Sequence, residues 1–355
     1  MLLVRARLAG IGPFEDATIT FGDPESRPRP CTVVVGGAGS GKTSLLSAIA
    51  STRPGHAIAQ LAHRTDVAPP GFVVTEWHLG DDDKTRPHAL RVTSPNAKLD
   101  EPDDLALIRR REQTLYDRRA SERGFVFVAF SGARWFSRAP SAISSPDRSI
   151  LRYDVRAAAH FDDASRADLA RETKQVLTYA AAGSALATRL PIRDAAAESA
   201  HSRLRRLDLA VIGAVLAALE GTGIAYDGID PVRFEPVFST RGSTILFDDL
   251  PRSIRHVLAF VSLTLRALAG AYPDIDPRGA EGVAAIDDAE SQLPISEQRT
   301  LVLRLKRALP NVQWIVGTAS PAVAEGAELS DVVALRRSPG SGKIEIFDGA
   351  EAVLH

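Results

Sequence analysis

A glycine-rich segment near the start of the chain has the spacing of a phosphate-binding loop. The run GGAGSGKT over Gly36–Thr43 satisfies the pattern G-x-x-x-x-G-K-[ST]. The apolar run TVVV precedes it and the helix-like run SLLSAIA follows it, which is the strand–loop–helix context that phosphate binding requires. We therefore predict that this segment binds a nucleoside triphosphate, in the first place ATP with Mg²⁺. The alternative interpretation is a glycine-rich turn that holds no ligand.

The residue types in this loop suit a triphosphate. Small residues let backbone N–H groups approach the phosphates, and the first turn of a helix adds positive potential. Lys42 can reach the β- and γ-phosphates, and the Thr43 hydroxyl can ligate Mg²⁺. The predicted nucleotide-binding residues of this segment are Gly36, Gly37, Ala38, Gly39, Ser40, Gly41, Lys42, Thr43 and Ser44.

Two adjacent acids end a second apolar run. The run VAAI leads into Asp287 and Asp288. A carboxylate at the end of a strand can hold Mg²⁺ opposite a phosphate-binding loop, and a second carboxylate can orient or deprotonate an attacking water. We predict Thr43 and Asp287 as metal ligands, and Asp288 and Lys42 as catalytic residues. The alternative is that the two acids cap a turn or the helix that follows.

The composition is that of a globular protein without a strong charge bias. The chain has 355 residues, a formal net charge of −1 and one cysteine, Cys31. This charge gives no overall attraction to nucleic acid or to an anionic membrane, and one cysteine excludes an intramolecular disulfide. No signal-peptide-like segment opens the chain, and the apolar run from Val257 contains Arg266. We predict a cytoplasmic protein with a buried helix at that run and no membrane contact.

The pattern of secondary structure is α/β at both ends of the chain and mainly helical in between. β-like runs are predicted at 2–8, 17–21, 31–35, 72–79, 89–92, 124–130, 232–238, 243–247, 282–287, 312–318, 332–335 and 343–347. Helical patterns cover 43–51, 162–221, 251–270 and 296–309, and the charged run 103–123 is a helix or a loop. We predict one α/β unit built from residues 1–160 and 225–355, with 161–224 as a helical insertion subdomain.

Four segments occur in an informative order. ARLAGIGPFEDATITF opens the chain before TVVVGGAGSGKTSLLSAIA, and FDDLPRSIRHVLAFVSLTLRAL precedes VAAIDDAESQLPISEQRTLVLRLKRALPNVQWIVGTASPAV. Together they resemble the RecF/SMC-like branch of ABC-type ATPases, which includes the OLD-like ATPases often found in bacterial defence systems. The resemblance implies an α/β P-loop NTPase fold, an ABC-type head with a mixed β-sheet and a helical insertion.

The resemblance also implies roles for particular residues. Heads of this family dimerise and enclose two ATP molecules, each between one P-loop and the partner's signature segment. Asp287 matches the Mg²⁺-associated Walker B acid, Asp288 stands where the catalytic glutamate is usual, and Glu290 matches a further acid that we include among the catalytic candidates. Ser253 lies in the segment that occupies the place of the signature and is a candidate phosphate contact.

Three departures from the family pattern concern hydrolysis. Asp288 is one methylene shorter than glutamate, and a displacement of about 1 Å can cost a factor on the order of a hundred in rate. Ala319 replaces the histidine of the switch, and the signature segment Leu250–Arg255 contains no glycine. Ser253 or Arg252 can substitute there, or the arginines of this segment simply face solvent. We expect nucleotide binding to be retained and hydrolysis to be weakened.

Two further features concern possible contacts to a nucleic-acid base and to the γ-phosphate. Trp135 lies between Arg134 and Arg138, where it can stack on a nucleic-acid base or pack at the end of a strand. The glutamine that the family uses to sense the γ-phosphate has only Gln60 as a candidate.

Three functions follow as hypotheses. The first is a slow ATPase that acts as an ATP-switched homodimer or as the sensor or motor subunit of a larger repair or anti-phage defence system. The second is a non-hydrolysing nucleotide-binding regulator or assembly protein, and the third is a nucleic-acid-binding component of repair or defence. For the first we expect a homodimer through the nucleotide face and a protein partner.

Overall fold

The fold is described from a computed structural model. It describes residues 1–23, 25–53, 64, 71–79, 89–95, 97–121, 125–141, 143, 168–189, 191–192 and 194–354. The candidate Gln60 and the predicted boundary at 160–161 lie outside the described residues. The division of the chain into a head and an insertion therefore stays a prediction.

Strands and helices alternate along most of the described chain. The strands are β1 (Leu2–Ile11), β2 (Phe14–Thr20), β3 (Cys31–Gly36), β4 (Phe72–His78), β5 (Leu90–Thr93), β6 (Phe127–Phe130), β7 (Ile224–Ile229), β8 (Pro236–Thr240), β9 (Ser243–Leu246), β10 (Gly282–Ile286), β11 (Val312–Thr318), β12 (Val332–Arg337) and β13 (Ile344–Asp348). The helices are α1 (Lys42–Ser51), α2 (Asp103–Ser121), α3 (Leu169–Arg189), α4 (Ala195–Leu219), α5 (Arg252–Ala271), α6 (Ile295–Ala308), α7 (Pro321–Glu325) and α8 (Glu351–Leu354).

The central sheet has the order β13-β12-β3-β11-β10-β6. Its strands β12, β3, β11, β10 and β6 run parallel, and β13 pairs antiparallel with β12. Every residue of β10 and β11 is buried, which explains their continuous apolar sequences, because strands covered on both faces need no polar alternation. The predicted α/β class with a mixed sheet is confirmed.

A second sheet, of order β2-β1-β4-β5, is antiparallel and lies beside the central one. The buried Gln313 joins them, because its side-chain oxygen accepts from Leu3 N at 2.7 Å and its Nε2 donates to Leu3 O at 2.8 Å. A buried amide that is hydrogen-bonded to backbone in this way fixes the position of β1 relative to β11, and its own polar atoms are satisfied by these bonds. The sequence placed β1 and β2 near their observed positions but did not indicate this link.

The third sheet contains β7, β8 and β9 and corrects part of the sequence prediction. A strand was predicted at 232–238, whereas β8 begins at Pro236, and β7 was not predicted at all. The sequence of β7, IAYDGI, is short and contains glycine and aspartate, which are depleted in strands. Antiparallel pairing with β8 overrides that weak preference.

The helix α5 crosses the core of the molecule. By length and composition alone it could span a membrane, but 83% of its apolar window is buried inside the protein. The prediction of a buried helix at this run is confirmed. Arg266 in this helix is accommodated by an ion pair with Glu172 of α3 at 2.9 Å.

The helices α3 and α4 pack on α5 and share its apolar core. A buried cation ties α3 to the segment before α5. Lys174 is 1% exposed, and its Nζ lies 2.9 Å from Asp248 Oδ2 and 3.3 Å from a carboxylate oxygen of Glu235. Asp248 follows β9, and Glu235 precedes β8. The buried charge of Lys174 is tolerated here because these two partly exposed carboxylates neutralise it.

Replacing Lys174 with methionine should destabilise the fold. The apolar chain fills the same space but leaves Asp248 and Glu235 facing each other without a cation, so we expect a loss of about 3 kcal/mol in the free energy of unfolding. Denaturant unfolding followed by circular dichroism measures it. The matched control is Arg299→Ala, which removes an ion pair with Glu325 whose two side chains are each 57% exposed, and should cost less than about 1 kcal/mol. Equal losses in the two variants would contradict the assignment of Lys174 as a buried structural cation.

Candidate nucleotide-binding site

The loop between β3 and α1 requires glycine at two positions. A Cβ atom on Gly36 would lie 2.4 Å from Ser40 Oγ. Gly41 has a φ of +98°, and a Cβ there would lie 2.7 Å from the rings of both Pro13 and Phe14. The turn between β1 and β2 therefore presses directly on the start of α1, and only glycine fits between them.

The tip of the loop is open. Gly37, Ala38 and Gly39 are exposed, and a Cβ on Gly37 or Gly39 would meet no atom within 4 Å. Ser40 is buried, and within the described part of the chain its Oγ has no hydrogen-bond partner. Open backbone around successive N–H groups at the start of a helix is the arrangement that accepts an anion.

Lys42 folds back over this loop. Its Nζ donates to the carbonyl oxygens of Gly36 at 2.7 Å and Gly37 at 3.1 Å, and the residue is 7% exposed. Among the described residues no carboxylate forms a salt bridge with it. Because these partners are neutral carbonyl oxygens, a phosphate can replace them with stronger, charge-assisted hydrogen bonds.

Thr43 contacts the acid at the end of β10. Its Oγ1 donates to Asp287 Oδ2 at 2.7 Å, and Asp287 N donates to the Phe130 carbonyl oxygen of β6 at 2.9 Å. The parallel order β3-β11-β10-β6 explains the encounter, because the carboxyl ends of all four strands meet at one edge of the sheet.

Asp287 is held in an unfavourable environment for a carboxylate. It is 3% exposed, and burial raises its pKa above the ordinary value despite the hydrogen bond from Thr43 and the nearby charge of Lys42. Its second oxygen, Oδ1, is buried and has no hydrogen-bond partner in the described chain. A hard divalent cation would satisfy this oxygen, so Thr43 and Asp287 fit the requirements of a Mg²⁺ site that is completed by nucleotide and water. The described residues contain no cluster of three or more His, Cys, Asp or Glu side chains that could hold a metal alone.

Asp288 differs from its neighbour in being exposed. It adopts a φ of +45°, which directs the chain sharply after β10. Its Oδ2 would lie 2.6 Å from a Cβ atom on Gly132, so the glycine after β6 makes room for this carboxylate. The helix α6 begins at Ile295 with Pro294 as its N-cap residue, so neither predicted acid caps that helix.

Glu290 is bound to the segment that follows β11. Its Oε2 accepts from Thr318 Oγ1 at 2.6 Å and its Oε1 accepts from Ala319 N at 2.8 Å. Both carboxylate oxygens are therefore used to hold the segment that carries Ala319. Next along this segment, Ser320 Oγ donates to Gln298 Oε1 of α6 at 2.5 Å.

Arg134 belongs to this site, although sequence reasoning did not assign it there. Its guanidinium donates to the carbonyl oxygens of Asp287 at 2.6 Å and Asp288 at 2.7 Å, and it stacks over Phe260 at 5.2 Å. Burial lowers its pKa to about 10, which leaves it charged at neutral pH. The structure thus separates Arg134 from Trp135, which is 57% exposed. Its position four residues after the end of β6 was the available signal, because that strand pairs with β10.

Ser253 is not brought to the loop in the single chain. It is 3% exposed, and its Oγ donates to Glu297 Oε1 of α6 at 3.0 Å. Arg252 is exposed and reaches Gln292 at 3.5 Å, while Arg255 stacks over Phe136. The start of α5 therefore contacts α6 and the segment after β6, rather than the P-loop of its own chain.

A cavity of about 420 Å³ opens beside the loop. Its lining consists of Gly12, Pro13, Gly39, Gly41, Lys42, Thr43, Ser44 and Arg337. The predicted residue Ser44 is thus part of the wall, and Ala38 lines an adjoining cavity of about 310 Å³. Gly12 and Pro13 enter from the turn between β1 and β2, and Arg337 from the end of β12. Sequence reasoning did not select these three residues.

The comparisons with known proteins agree with this arrangement. Residues 5–52, which include most of β1 together with β2, β3, the loop and α1, match a family model described as an AAA domain. A search of curated proteins gives no match. One similar solved structure is an SmcHead bound to the C-winged helix domain of ScpA, with 12% identity, full coverage of both chains and a TM-score of 0.54.

A second solved structure is similar over nearly the whole chain. It is an Smc head domain with an extended coiled coil, bound to the C-terminal domain of ScpA derived from Pyrococcus furiosus, with 13% identity, 99% and 98% coverage and a TM-score of 0.50. At such identities the likeness concerns the fold. The P-loop motif, the sheet order and these matches lead to one conclusion: the chain has the mixed α/β P-loop ATPase fold of SMC head domains.

Proposed function

We propose that this protein binds ATP with Mg²⁺ at Gly36–Thr43 and hydrolyses it slowly, acting as an ATP-switched dimer or as the sensor or motor subunit of a larger system. The observation that supports it best is the 2.7 Å hydrogen bond from Thr43 to Asp287, beside the unpartnered Oδ1 of that acid. It joins the loop after β3 to the acid after β10, which are the two parts of the proposed Mg²⁺–triphosphate site.

In this proposal the loop binds and orients the triphosphate. Backbone N–H groups at Gly37–Gly39 and the start of α1 surround the phosphates, and Lys42 exchanges its two carbonyl partners for phosphate oxygens. Thr43 and Asp287 hold Mg²⁺, which when bound neutralises charge on the phosphate oxygens. Arg134 positions the metal-binding acid through its bond to the Asp287 carbonyl oxygen.

The groups that would activate water are weaker than those that bind phosphate. Asp288 is exposed and has a short side chain, and Glu290 is engaged by Thr318 and Ala319, so we assign Glu290 a positioning role. Ala319 brings no polar side chain. Asp288 remains the candidate general base, and its reach limits the expected rate.

The proposed dimer would complete the site from a second chain. The exposed Arg252 lies at the start of α5, away from the P-loop of its own chain, which is compatible with a contact to nucleotide across a dimer, whereas Ser253 is buried against Glu297 and would support that segment. The SMC heads that share this fold are bound to a domain of ScpA, and we propose a protein partner for this chain as well. Repair and anti-phage defence are the proposed settings.

A second candidate function is a nucleotide-binding regulator that does not hydrolyse ATP. Ala319 and the short Asp288 are the observations that favour it. The two candidates share the binding site and differ only in turnover, so a sensitive hydrolysis assay with and without added partner separates them.

Lys42→Ala should weaken nucleotide binding. Loss of a charge-assisted contact to the β- and γ-phosphates should weaken ATP affinity by a factor of about ten to a hundred. Isothermal titration calorimetry measures this, with Lys98→Ala, a change at an exposed lysine, as the matched control. Unchanged ATP affinity in Lys42→Ala would contradict the proposed site.

Asp287→Asn should separate stability from metal binding. Because burial raises the native pKa of Asp287, the native state binds more protons than the unfolded chain, and its stability falls as pH rises through that pKa. In metal-free buffer at pH 7 the variant should therefore melt at a higher temperature than the wild type, and the difference should shrink as pH falls through the raised pKa.

The same variant should lose its response to Mg²⁺–ATP. The wild type at a hundred times its Kd gains about 2.7 kcal/mol from ligand binding, whereas Asp287→Asn should gain little. Thermal unfolding with EDTA and with Mg²⁺–ATP measures both effects, and the exposed Asp274→Asn is the control. A variant that melts lower at neutral pH and still responds fully to Mg²⁺–ATP would rule out this assignment.

Asp288 should control hydrolysis and leave binding intact. Asp288→Asn should reduce the ATP turnover rate by at least about tenfold with little change in ATP affinity, because the amide cannot accept the proton of the attacking water. Single-turnover hydrolysis of radiolabelled ATP provides the sensitivity, again with Asp274→Asn as control. If turnover is measurable in the wild type and equal in Asp288→Asn, another group activates the water.

A further inference from the structure

Arg337 occupies a position from which it can reach a bound nucleotide. It is the last residue of β12, which pairs in parallel with β3 so that Leu335 lies opposite Gly36. Arg337 therefore follows directly beyond the point where the P-loop begins, and its side chain lines the same cavity as Lys42, Thr43 and Ser44.

The contacts of its guanidinium are to neutral groups. Nη2 donates to the Gly39 carbonyl oxygen at 3.0 Å, and Nη1 donates to the Gly342 carbonyl oxygen at 3.1 Å. Across the described residues no carboxylate lies within salt-bridge distance of Arg337. The positive charge of Arg337 thus stands at the rim of the loop without a counter-ion in the described part of the chain, where an anion would be attracted.

The antiparallel strands β12 and β13 form a hairpin that carries two other cations near Arg337. Each of these two cations has contacts that lie away from the cavity. Arg336 donates to the Ala352 carbonyl oxygen at 3.1 Å and stacks over Phe347. Lys343 forms an ion pair with Glu15 at 2.7 Å. Neither of those cations lines the cavity beside α1, so the hairpin presents Arg337 to it.

The hairpin also holds Arg337 in place. Ser338 N donates to the Lys343 carbonyl oxygen at 2.8 Å, and Gly342 N donates to the Ser338 carbonyl oxygen at 2.9 Å, which closes the turn immediately after Arg337. A guanidinium on an ordered turn loses less freedom when it binds a ligand than one on a free chain.

We propose that Arg337 is an additional phosphate-binding residue of this site, whose guanidinium exchanges the Gly39 carbonyl oxygen for oxygens of the bound triphosphate. The exchange is favourable because it replaces a hydrogen bond to a neutral acceptor with a charge-assisted one, which an arginine fork can make in two parallel bonds. It would also draw the β12–β13 hairpin onto the nucleotide. The inference depends on the proposed ATP binding and adds one named contact to it.

The test measures affinity for ATP and for inorganic tripolyphosphate, which has the phosphates but no base or sugar. Arg337→Ala in the full chain should raise the Kd for both ligands by about tenfold. Arg337→Lys should retain part of the affinity, because lysine keeps the positive charge but cannot form two parallel hydrogen bonds. The matched control is Arg307→Ala, which removes an exposed arginine of α6 that forms an ion pair with Glu220. This variant should leave both Kd values unchanged.

The outcomes separate this inference from the proposed function. If the wild type binds ATP and Arg337→Ala binds both ligands with the same affinity, the role of Arg337 alone is overturned. The same holds if the melting temperature of Arg337→Ala falls while both affinities stay constant, because Arg337 would then serve only to hold Gly39. Weaker ATP binding with unchanged tripolyphosphate binding would overturn the phosphate contact. Absence of ATP binding in the wild type would overturn the proposed function, and this inference with it.

Discussion

A hydrogen bond of 2.7 Å between Thr43 Oγ1 and Asp287 Oδ2 joins positions that are 244 residues apart in the chain. It forms only because β3, β11 and β10 are adjacent and parallel, so that the loop after β3 and the acid after β10 emerge at one edge of the sheet. The register of those strands therefore sets the distance on which the proposed Mg²⁺ site depends. A slip of one residue in β10 would turn its side chains to the other face of the sheet and displace Asp287 from Thr43.

The burial of charged groups at the end of β10 lowers the stability of the fold, and neighbouring groups must hold these charges in place. Asp287 is buried, with one oxygen that has no hydrogen-bond partner among the described residues, and the half-buried Arg134 donates to the carbonyl oxygens of Asp287 and Asp288. Buried charges of this kind persist when surrounding groups hold them, and they are common where a protein binds ions. The fold thus gives up stability at the end of β10, where a divalent cation would restore it.

A chain of side-chain contacts leads from this edge toward α5. Glu290 holds Thr318 and Ala319, Ser320 then contacts Gln298 of α6, and the adjacent Glu297 accepts from Ser253 at the start of α5. The segments that would sense the nucleotide and those that would face a second chain therefore share one hydrogen-bonded network. Such a network offers a physical route for coupling, which the proposed ATP-dependent assembly would use.

The sequence by itself determined the loop Gly36–Thr43, the acids Asp287 and Asp288, the α/β class and the buried helix at α5, because spacing, strand-end position and apolar runs are local signals. It missed β7, and it gave no role at the site to Gly12, Pro13, Arg134 or Arg337. Those features depend on pairing and on sheet order, which bring residues together that no local pattern connects. Only the tertiary structure showed that Ser253 contacts α6 in its own chain and that both oxygens of Glu290 are engaged, because a hydrogen-bond partner is decided by packing.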